Sequence, residues 1–270
     1  MTNPPTEPRS GARKGTLYLV PAPLDFGCDA QVPLQNALPS ATLQTAARLT
    51  QWVCENAKST RAYLKRIDAL HPLAAPLQQQ QITELPREVH KKGDHGDKGS
   101  APFDARPLLA AALAGHDIGL VSEAGMPAIA DPGSSVVRAA HALGLAVVPL
   151  TGPVSLMLAL AASGLNGQGF AFVGYVPQDS AERTKRLREL DALSGKTGQT
   201  QILIETPYRN AALLQALTAS LQASTRLAVS CGLGLPQQVT RSALVRDWQH
   251  DAALSAALPL ALPAVFLFGR

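Results

Sequence analysis

The sequence predicts an α/β fold made of two α/β domains, and three features of the chain lead to this prediction. A short apolar run, Ile118–Val121, is typical of a buried strand, and a loop rich in glycine and proline separates it from a helical segment at 134–143. The same order returns at once, with an apolar run at 146–150, a turn of small residues at 151–155 and a helical segment at 154–163. Strands that alternate with helices indicate a parallel sheet with helical crossovers. A chain of 270 residues is long enough for two domains of ordinary size.

The segments before these two loops complete the N-terminal domain. The predicted elements are a strand at 16–21, helical spacing at 43–49, a strand at 51–55 and an amphipathic helix at 60–70. A polar, glycine-rich stretch then predicts a flexible insertion at about 78–103. Residues 1–14 are polar and rich in proline and are expected to form a disordered tail, so that the domain itself spans 15–150.

The second half of the chain predicts a C-terminal α/β domain at 151–270. The predicted elements are strands at 170–175, 201–205, 227–231 and 265–268 and a basic amphipathic helix at 181–193. Several strands lie close together in this half of the chain. A mixed sheet is therefore expected in this domain.

Composition favours a cytoplasmic protein without a bound metal. The three cysteines, Cys28, Cys54 and Cys231, are far apart, and no CxxC spacing occurs. This pattern argues against a disulfide framework and against a structural zinc site. No apolar run is long enough to span a bilayer, and the first residues do not resemble a signal peptide. The net charge of +4 permits an acidic partner such as RNA without requiring one.

Five short motifs occur in a fixed order along the chain. They are SEAGMPAIADPG at 122–133, TGPVS at 151–155, ASGL at 162–165, GYVP at 174–177 and ETPYR at 205–209. In order and spacing they resemble the tetrapyrrole methylase superfamily of S-adenosylmethionine-dependent methyltransferases. Among its branches, the chain looks most like the one that methylates a ribose 2′-hydroxyl in small-subunit ribosomal RNA. The resemblance extends from about residue 108 to 248.

Other stretches depart from the pattern of that branch. The loop at 21–26 reads PAPLDF where the family has Thr-Pro-Ile-Gly-Asn-Leu, and 54–58 reads CENAK where the family has Ala-Glu-Asp-Thr-Arg. The stretch at 206–210, TPYRN, also departs from Ser-Pro-His-Arg. Because these elements lie on the substrate side in the family, the resemblance supports the cofactor more strongly than the acceptor. It implies a divergent paralogue.

The resemblance implies that S-adenosylmethionine binds in a cleft between the two α/β domains. Glycines at 125, 133 and 152 would let the backbone approach a bulky ligand, and the neighbouring prolines would stiffen the loops. For Asp131 and Ser155 the alternative is a helix-capping role. The residues expected to contact the cofactor are Ser122, Glu123, Ala124, Gly125, Met126, Asp131, Thr151, Gly152, Pro153 and Ser155.

Methyl transfer from a sulfonium to an oxygen needs alignment and benefits from a general base, and it needs no metal. The candidates for catalytic groups are Glu55, Glu205 and Tyr208, which lie at strand ends or in motif loops. Glu55 and Glu205 match acidic positions of the family, and Glu123 stands at its aspartate position. The alternative for each glutamate is a structural hydrogen bond to a loop backbone.

Two basic helical clusters, at 61–66 and 183–188, are compatible with phosphate contacts, although a solvated surface is the simpler interpretation. The leading hypothesis is a methyltransferase that acts on ribosomal RNA ribose or a related nucleotide. The alternatives are methylation of a tetrapyrrole-like or other small-molecule acceptor, and a non-catalytic protein that binds S-adenosylmethionine or RNA. Family resemblance also implies a homodimer.

Overall fold

The computed structural model describes residues 13–86, 88–89 and 103–270. Most of the expected N-terminal tail, and the larger part of the expected insertion at 78–103, lie outside the described residues. The described chain divides into two compact units. The first consists of Met1–Ala22 and Leu34–Gly152, and the second of Pro23–Pro33 and Pro153–Arg270.

The first unit contains a five-stranded sheet in which every pair of neighbours is parallel. Its strands are β1 (Thr16–Val20), β2 (Gln51–Cys54), β3 (Gln81–Glu84), β4 (Ile118–Val121) and β5 (Ala146–Pro149), in the order β3-β2-β4-β1-β5. Its helices are α1 (Ser40–Arg48), α2 (Ala57–Asp68), α3 (Ala110–Leu113) and α4 (Ser134–Ala142). The predicted parallel sheet with helical crossovers is confirmed.

Helices cover both faces of this sheet. On one face, Leu43 of α1 and Leu64 of α2 pack with Trp52 of the central part of the sheet. On the other face, Leu109 and Val136 pack with the apolar residues of β4. Buried residues of α2 recur at helical spacing, at Thr60, Tyr63, Leu64 and Ile67. Two-sided burial explains why the central strand β4 reads as a continuous apolar run in the sequence.

The structure differs from the predicted flexible insertion at its start. Residues 81–84 form the edge strand β3, paired in parallel with β2. Two β-branched residues, Ile82 and Thr83, favour this conformation. Just before the strand, Gln80 is buried and its side-chain oxygen accepts a hydrogen bond from Trp52 Nε1 at 3.0 Å. Polar residues typical of a loop thus form a paired strand, and one of them accepts the hydrogen bond of a buried indole N–H.

The second unit contains a mixed five-stranded sheet, as the close spacing of its strands predicts. The strands are β6 (Phe170–Gly174), β7 (Thr200–Glu205), β8 (Arg226–Cys231), β9 (Val239–Leu244) and β10 (Ala264–Gly269), in the order β6-β7-β10-β8-β9. The helices are α5 (Ser155–Ser163), α6 (Ser180–Thr197), α7 (Asn210–Ser220), α8 (Val245–His250) and α9 (Ala252–Ala256). Only β6 and β7 are parallel neighbours.

Alternate residues of β10 divide the core of this unit between the two faces of its sheet. Phe266 and Phe268 pack on the side of α6 and α7, whereas Val265 and Leu267 pack on the side of α5.

One carboxylate of this unit, that of Asp191 in α6, is buried and hydrogen-bonded. It accepts hydrogen bonds from Thr225 Oγ1 at 2.6 Å and from the backbone N–H of residue 222 at 2.9 Å.

Two further findings concern the described residues as a whole. Within them, no helix is both long and apolar enough to cross a membrane. Over the same ranges, no group of three or more histidine, cysteine, aspartate or glutamate side chains is placed to hold a metal ion. Cys28, Cys54 and Cys231 are free thiols, and burial raises the pKa of Cys231 to about 11.

Candidate functional site

The carboxyl ends of four parallel strands lie along one edge of the sheet in the first unit. Strand register places Val121 beside Val20 on one side and beside Cys54 on the other, and β5 is in register with β1. The loops that begin at Pro21, Glu55, Ser122 and Leu150 therefore leave the sheet at this same edge. In α/β proteins this is the edge at which ligands bind.

The loop between β4 and α4 is tied back to the end of β1 and has an unusual backbone. Gly125 and Ala22 exchange two backbone hydrogen bonds, of 2.9 and 3.0 Å. Ala128 and Ala130 have φ values of +65° and +64°, in the left-handed region that costs a residue with a Cβ about 1–2 kcal/mol. Strain of this kind persists only where surrounding contacts hold it, and it concentrates at ligand-binding loops.

The carboxyl groups of Glu55 and Glu123 act on that of Asp131 at this edge. Burial raises the pKa of Asp131 to about 7, and the negative charges of Glu55 and Glu123 add to this effect. Glu123 is itself fixed by α2, because Ser59 Oγ donates a hydrogen bond to its Oε1 at 3.1 Å. The structure thus brings Glu55, which follows β2, together with Glu123 and Asp131 of the loop after β4.

The hydroxyl of Ser122 lies at the start of this loop. Its residue is only 5% exposed, and Ser122 Oγ has no hydrogen-bond partner within the described residues. Buried hydroxyl groups are normally paired, so an unpaired one needs an explanation. Of the residues expected to contact the cofactor, Ser122, Glu123, Ala124, Gly125, Met126 and Asp131 all belong to this loop.

The loop after β5 gives Gly152 a role that differs from the expected one. A Cβ at Gly152 would lie 2.3 Å from the ring of Pro21 and 3.0 Å from Leu38. The carbonyl of Thr151 accepts a hydrogen bond from Thr42 Oγ1 at 2.8 Å. Packing within the unit therefore requires a glycine at this position.

The helix-capping alternative for two of the predicted site residues is wrong. The N-cap of α4 is Gly133, two residues after Asp131. The N-cap of α5 is Val154, and Ser155 is the first residue of the helix itself. Neither helix has a side-chain cap hydrogen bond.

The predicted contacts of the loop after β5 are divided between the two units. Pro153 and Ser155 belong to the second unit, whereas Thr151 and Gly152 belong to the first.

In the second unit, Glu205 stabilises the turn that follows β7. Its side chain is only 6% exposed, and its Oε1 accepts hydrogen bonds from Arg209 Nη2 at 2.7 Å and from the backbone N–H of Thr206 at 2.7 Å. The hydrogen bond to Glu205 is also the largest cause of the raised pKa of Arg209. Oε1 of this carboxylate is thus already occupied by two donors from its own turn. This geometry favours the structural alternative for Glu205.

Tyr208 lies in the same turn and is 83% exposed. The guanidinium carbon of Arg209 is 5.7 Å from the centroid of its ring, within the range of a cation–π contact. Tyr175, directly after β6, also contributes to the raised pKa of Arg209 and is 57% exposed. Of the predicted catalytic residues, Glu55 belongs to the first unit, and Glu205 and Tyr208 belong to the second.

The sequence does not single out two residues that act on residues of the predicted motifs, Ser59 and Tyr175. Ser59 reads as one more polar residue in the first turn of a helix, and only the fold shows that it holds Glu123. The sequence predicts Tyr175 at the end of a strand, where an aromatic residue is ordinary. Its position directly after a strand, in a glycine–proline motif, was the available signal.

Comparison with known proteins gives three findings of similarity. The family model for Tetrapyrrole (Corrin/Porphyrin) Methylases matches residues 41–248. Ribosomal RNA small subunit methyltransferase I of Mesorhizobium japonicum is 31% identical over 213 residues, which cover 79% of this chain and 62% of that protein. The protein of the same name from Halalkalibacterium halodurans is 31% identical over 196 residues, covering 73% of this chain and 57% of that protein.

Among solved structures, the uroporphyrin-III C-methyltransferase of Thermus thermophilus, in complex with S-adenosylhomocysteine, matches with a TM-score of 0.52 at 17% identity. The match covers 95% of this chain and 98% of that one, and it shows a shared two-sheet α/β fold. The matched family region includes the loop between β4 and α4 and the turn after β7. This chain belongs to the tetrapyrrole (corrin/porphyrin) methylase family.

Proposed function

We propose that this protein is an S-adenosylmethionine-dependent methyltransferase whose acceptor is a ribose 2′-hydroxyl in small-subunit ribosomal RNA. One observation carries the proposal: four strand ends of the first unit gather small-residue loops, three carboxyl groups and a buried, unpaired hydroxyl at a single edge. The relatives from two bacteria that are named small-subunit ribosomal RNA methyltransferases support the acceptor. A ribosomal substrate also implies a cytoplasmic protein.

The residues at this edge fit the chemistry of the cofactor. The hydroxyl of Ser122 offers a donor and an acceptor that the described residues do not use. Carboxylates suit the positive charges of a sulfonium and an amino group. S-adenosylmethionine supplies, when bound, a methyl group on a positively charged sulfur. The proposed contacts are Ser122, Glu123, Ala124, Gly125, Met126, Asp131, Thr151, Gly152, Pro153 and Ser155.

The proton of the acceptor hydroxyl needs a base, and two carboxyl groups of the first unit are suited to this role. Glu55 stands directly after β2, and Asp131 has a pKa of about 7. A base with a pKa near the working pH combines a large deprotonated fraction with adequate basicity. We therefore assign the proton to a carboxylate oxygen of Asp131 or Glu55. Glu205 and Tyr208 are proposed to act at the acceptor, through the turn that Glu205 stabilises.

The first experiment is a calorimetric titration of the purified protein with S-adenosylmethionine, with NAD as the control ligand. Saturable binding of S-adenosylmethionine alone is expected. Small ribosomal subunits that lack the modification are then incubated with methyl-labelled cofactor, and the RNA is digested to nucleosides for mass spectrometry. A labelled 2′-O-methyl nucleoside supports the proposal. Transfer to a tetrapyrrole but not to RNA, or binding without any transfer, would favour one of the two alternatives.

A homodimer is proposed from the second unit. Met157 and Leu158 of α5 and Phe170 and Phe172 of β6 are large apolar side chains that remain exposed on the surface. Phe172 and Ile202 are register partners, and Ile202 belongs to the core under α5, so these residues share one side of the sheet. Light scattering after gel filtration should give twice the mass of the chain, and Phe172→Glu should give the mass of one. A monomeric parent protein would exclude the dimer.

A further inference from the structure

The two most exposed large apolar side chains among the described residues stand together in the second unit. Tyr208 is 83% exposed and Tyr175 is 57% exposed. Tyr175 directly follows β6 and Tyr208 lies in the turn after β7, and these two strands are parallel neighbours. Both tyrosines therefore leave the sheet at the same edge. Exposed aromatic side chains in one place usually mark a contact surface.

Arg209 lies close to the Tyr208 ring and is held in place. Its Nη2 is 2.7 Å from Oε1 of the buried Glu205. This ion pair restricts the position of the guanidinium group. The centroid of the Tyr208 ring is 5.7 Å from its guanidinium carbon. Because Glu205 compensates its charge, Arg209 offers a flat stacking surface more than a net positive charge. A preorganised surface loses little conformational entropy when a ligand binds.

Helix α6, which begins at Ser180 shortly after Tyr175, carries exposed positive charge. Lys185 and Arg188 of α6 are exposed, and neither has an ion pair in the part of the chain that the structure describes. Together with Ser180, Thr184 and the acidic Glu189 they line a shallow depression along α6. Lysine and arginine at such a surface contact phosphates, whereas the tyrosine–arginine group offers flat faces to bases.

We propose that Tyr175, Tyr208 and Arg209 form a stacking platform for bases of single-stranded RNA. The inference rests on the proposed function, since it takes RNA to be the acceptor, and it assigns the part of the protein that holds unpaired bases. Single-stranded RNA presents bases that stack on aromatic rings and on arginine planes. Tyrosines, with their polar hydroxyl groups, and a compensated arginine suit bases better than an aliphatic protein surface.

The experiment measures RNA affinity by fluorescence anisotropy with two fluorescein-labelled probes at one fixed salt concentration. One probe is an oligoadenylate of about a dozen nucleotides, within the range of lengths that single-strand binding surfaces cover. The other has the same sugar–phosphate backbone with abasic sites. Tyr175→Ala and Tyr208→Ala should each weaken binding of oligoadenylate about tenfold, the effect of losing one stacked base. Tyr175→Phe and Tyr208→Phe should retain affinity, because the ring is kept.

Two controls separate stacking from other causes. Leu193→Ala removes an apolar side chain of α6 that is 43% exposed and should leave binding unchanged. Affinity for the abasic probe should be weak and insensitive to both alanine variants. Calorimetry with S-adenosylmethionine should give the parent affinity for Tyr208→Ala, which also shows that the variant is folded.

Each other result has a distinct meaning. A parent protein that binds neither probe nor ribosomal RNA would overturn the proposed acceptor, and the platform with it. Normal RNA binding by both alanine variants, or equal affinity of the parent for the two probes, would overturn the platform alone. A loss of S-adenosylmethionine affinity in Tyr208→Ala equal to its loss of RNA affinity would assign the ring to the cofactor and would likewise overturn the platform.

Discussion

Replacing Asp131 by asparagine should stabilise the first unit at neutral and alkaline pH. Burial, with the charges of Glu55 and Glu123, raises the pKa of Asp131 from 3.8 to about 7. Between these values the folded protein binds a proton that the unfolded chain has released. Stability must therefore fall as the pH rises from about 4 to about 7, and stay level with respect to this group above that. Asparagine has the shape of aspartic acid and no charge to desolvate.

The size of the effect follows from the shift itself. A change from 3.8 to about 7 is roughly three pKa units, and each unit corresponds to about 1.4 kcal/mol. The upper limit of the penalty at pH 8 is therefore about 4 kcal/mol. Partial access of water to Asp131 lowers this limit, so an increase of about 1–3 kcal/mol in the free energy of unfolding is expected for Asp131→Asn at pH 8. At pH 5, only about one pH unit above 3.8, the gain should fall to roughly two fifths of its value at pH 8.

The assay is urea unfolding followed by tryptophan fluorescence at pH 5, 6, 7 and 8. Trp52 belongs to the first unit and Trp248 to the second, so both proteins should carry Trp248→Phe to report the first unit alone. Asp29→Asn, at an exposed position of the second unit, is the matched control and should change nothing. A difference in stability between parent and Asp131→Asn that is the same at pH 5 and pH 8 would refute the reasoning. The same variant should lower the rate of methyl transfer if Asp131 accepts the proton.

Two further substitutions test the loops. Gly152→Ala should destabilise the protein by about 1–3 kcal/mol, because its Cβ would lie 2.3 Å from Pro21, whereas Gly167→Ala meets nothing within 4 Å and should be neutral; thermal unfolding of the two variants decides this. Glu205→Gln should cost about 1.5–3 kcal/mol through its weakened hydrogen bonds to Arg209 and the backbone, and an unchanged melting temperature would show that the turn is held by other contacts.

The parallel sheet of the first unit could be predicted because its signals are local. Ile118–Val121 is an apolar run directly before a glycine- and proline-rich loop, and Ala146–Pro149 repeats the pattern. Burial of the central strands on both faces makes such runs stand out. The edge strand β3 has no such signal, because Ile82 is the only apolar residue among its four and a run of glutamines precedes it. Only its pairing with β2 identifies it.

The candidate site could be located from the sequence but not characterised. The position of the loops follows from the order of strands and helices, and the glycines in them were evident. What Gly152 contacts depends on Pro21, 131 residues earlier in the chain, and no spacing rule connects the two. The pKa of Asp131 likewise depends on burial and on Glu55, which arrives from another strand. Long-range packing decided both roles.

The two units present different chemistry at their strand ends, and this difference predicts how substitutions should act. The loops of the first unit combine small residues with the carboxyl groups of Glu55, Glu123 and Asp131, which suits a small charged ligand and a proton. The turn after β7 offers aromatic rings and a compensated arginine, which suits a base. Changes at Asp131 should therefore lower kcat, because they remove an interaction needed when the proton moves. Changes at Tyr208 should raise KM for RNA with little effect on kcat, because they remove binding that is equal in the ground state and the transition state. If both sets lowered kcat alone, Tyr208 would have to act on the reacting nucleotide itself, and the division between the units would be wrong.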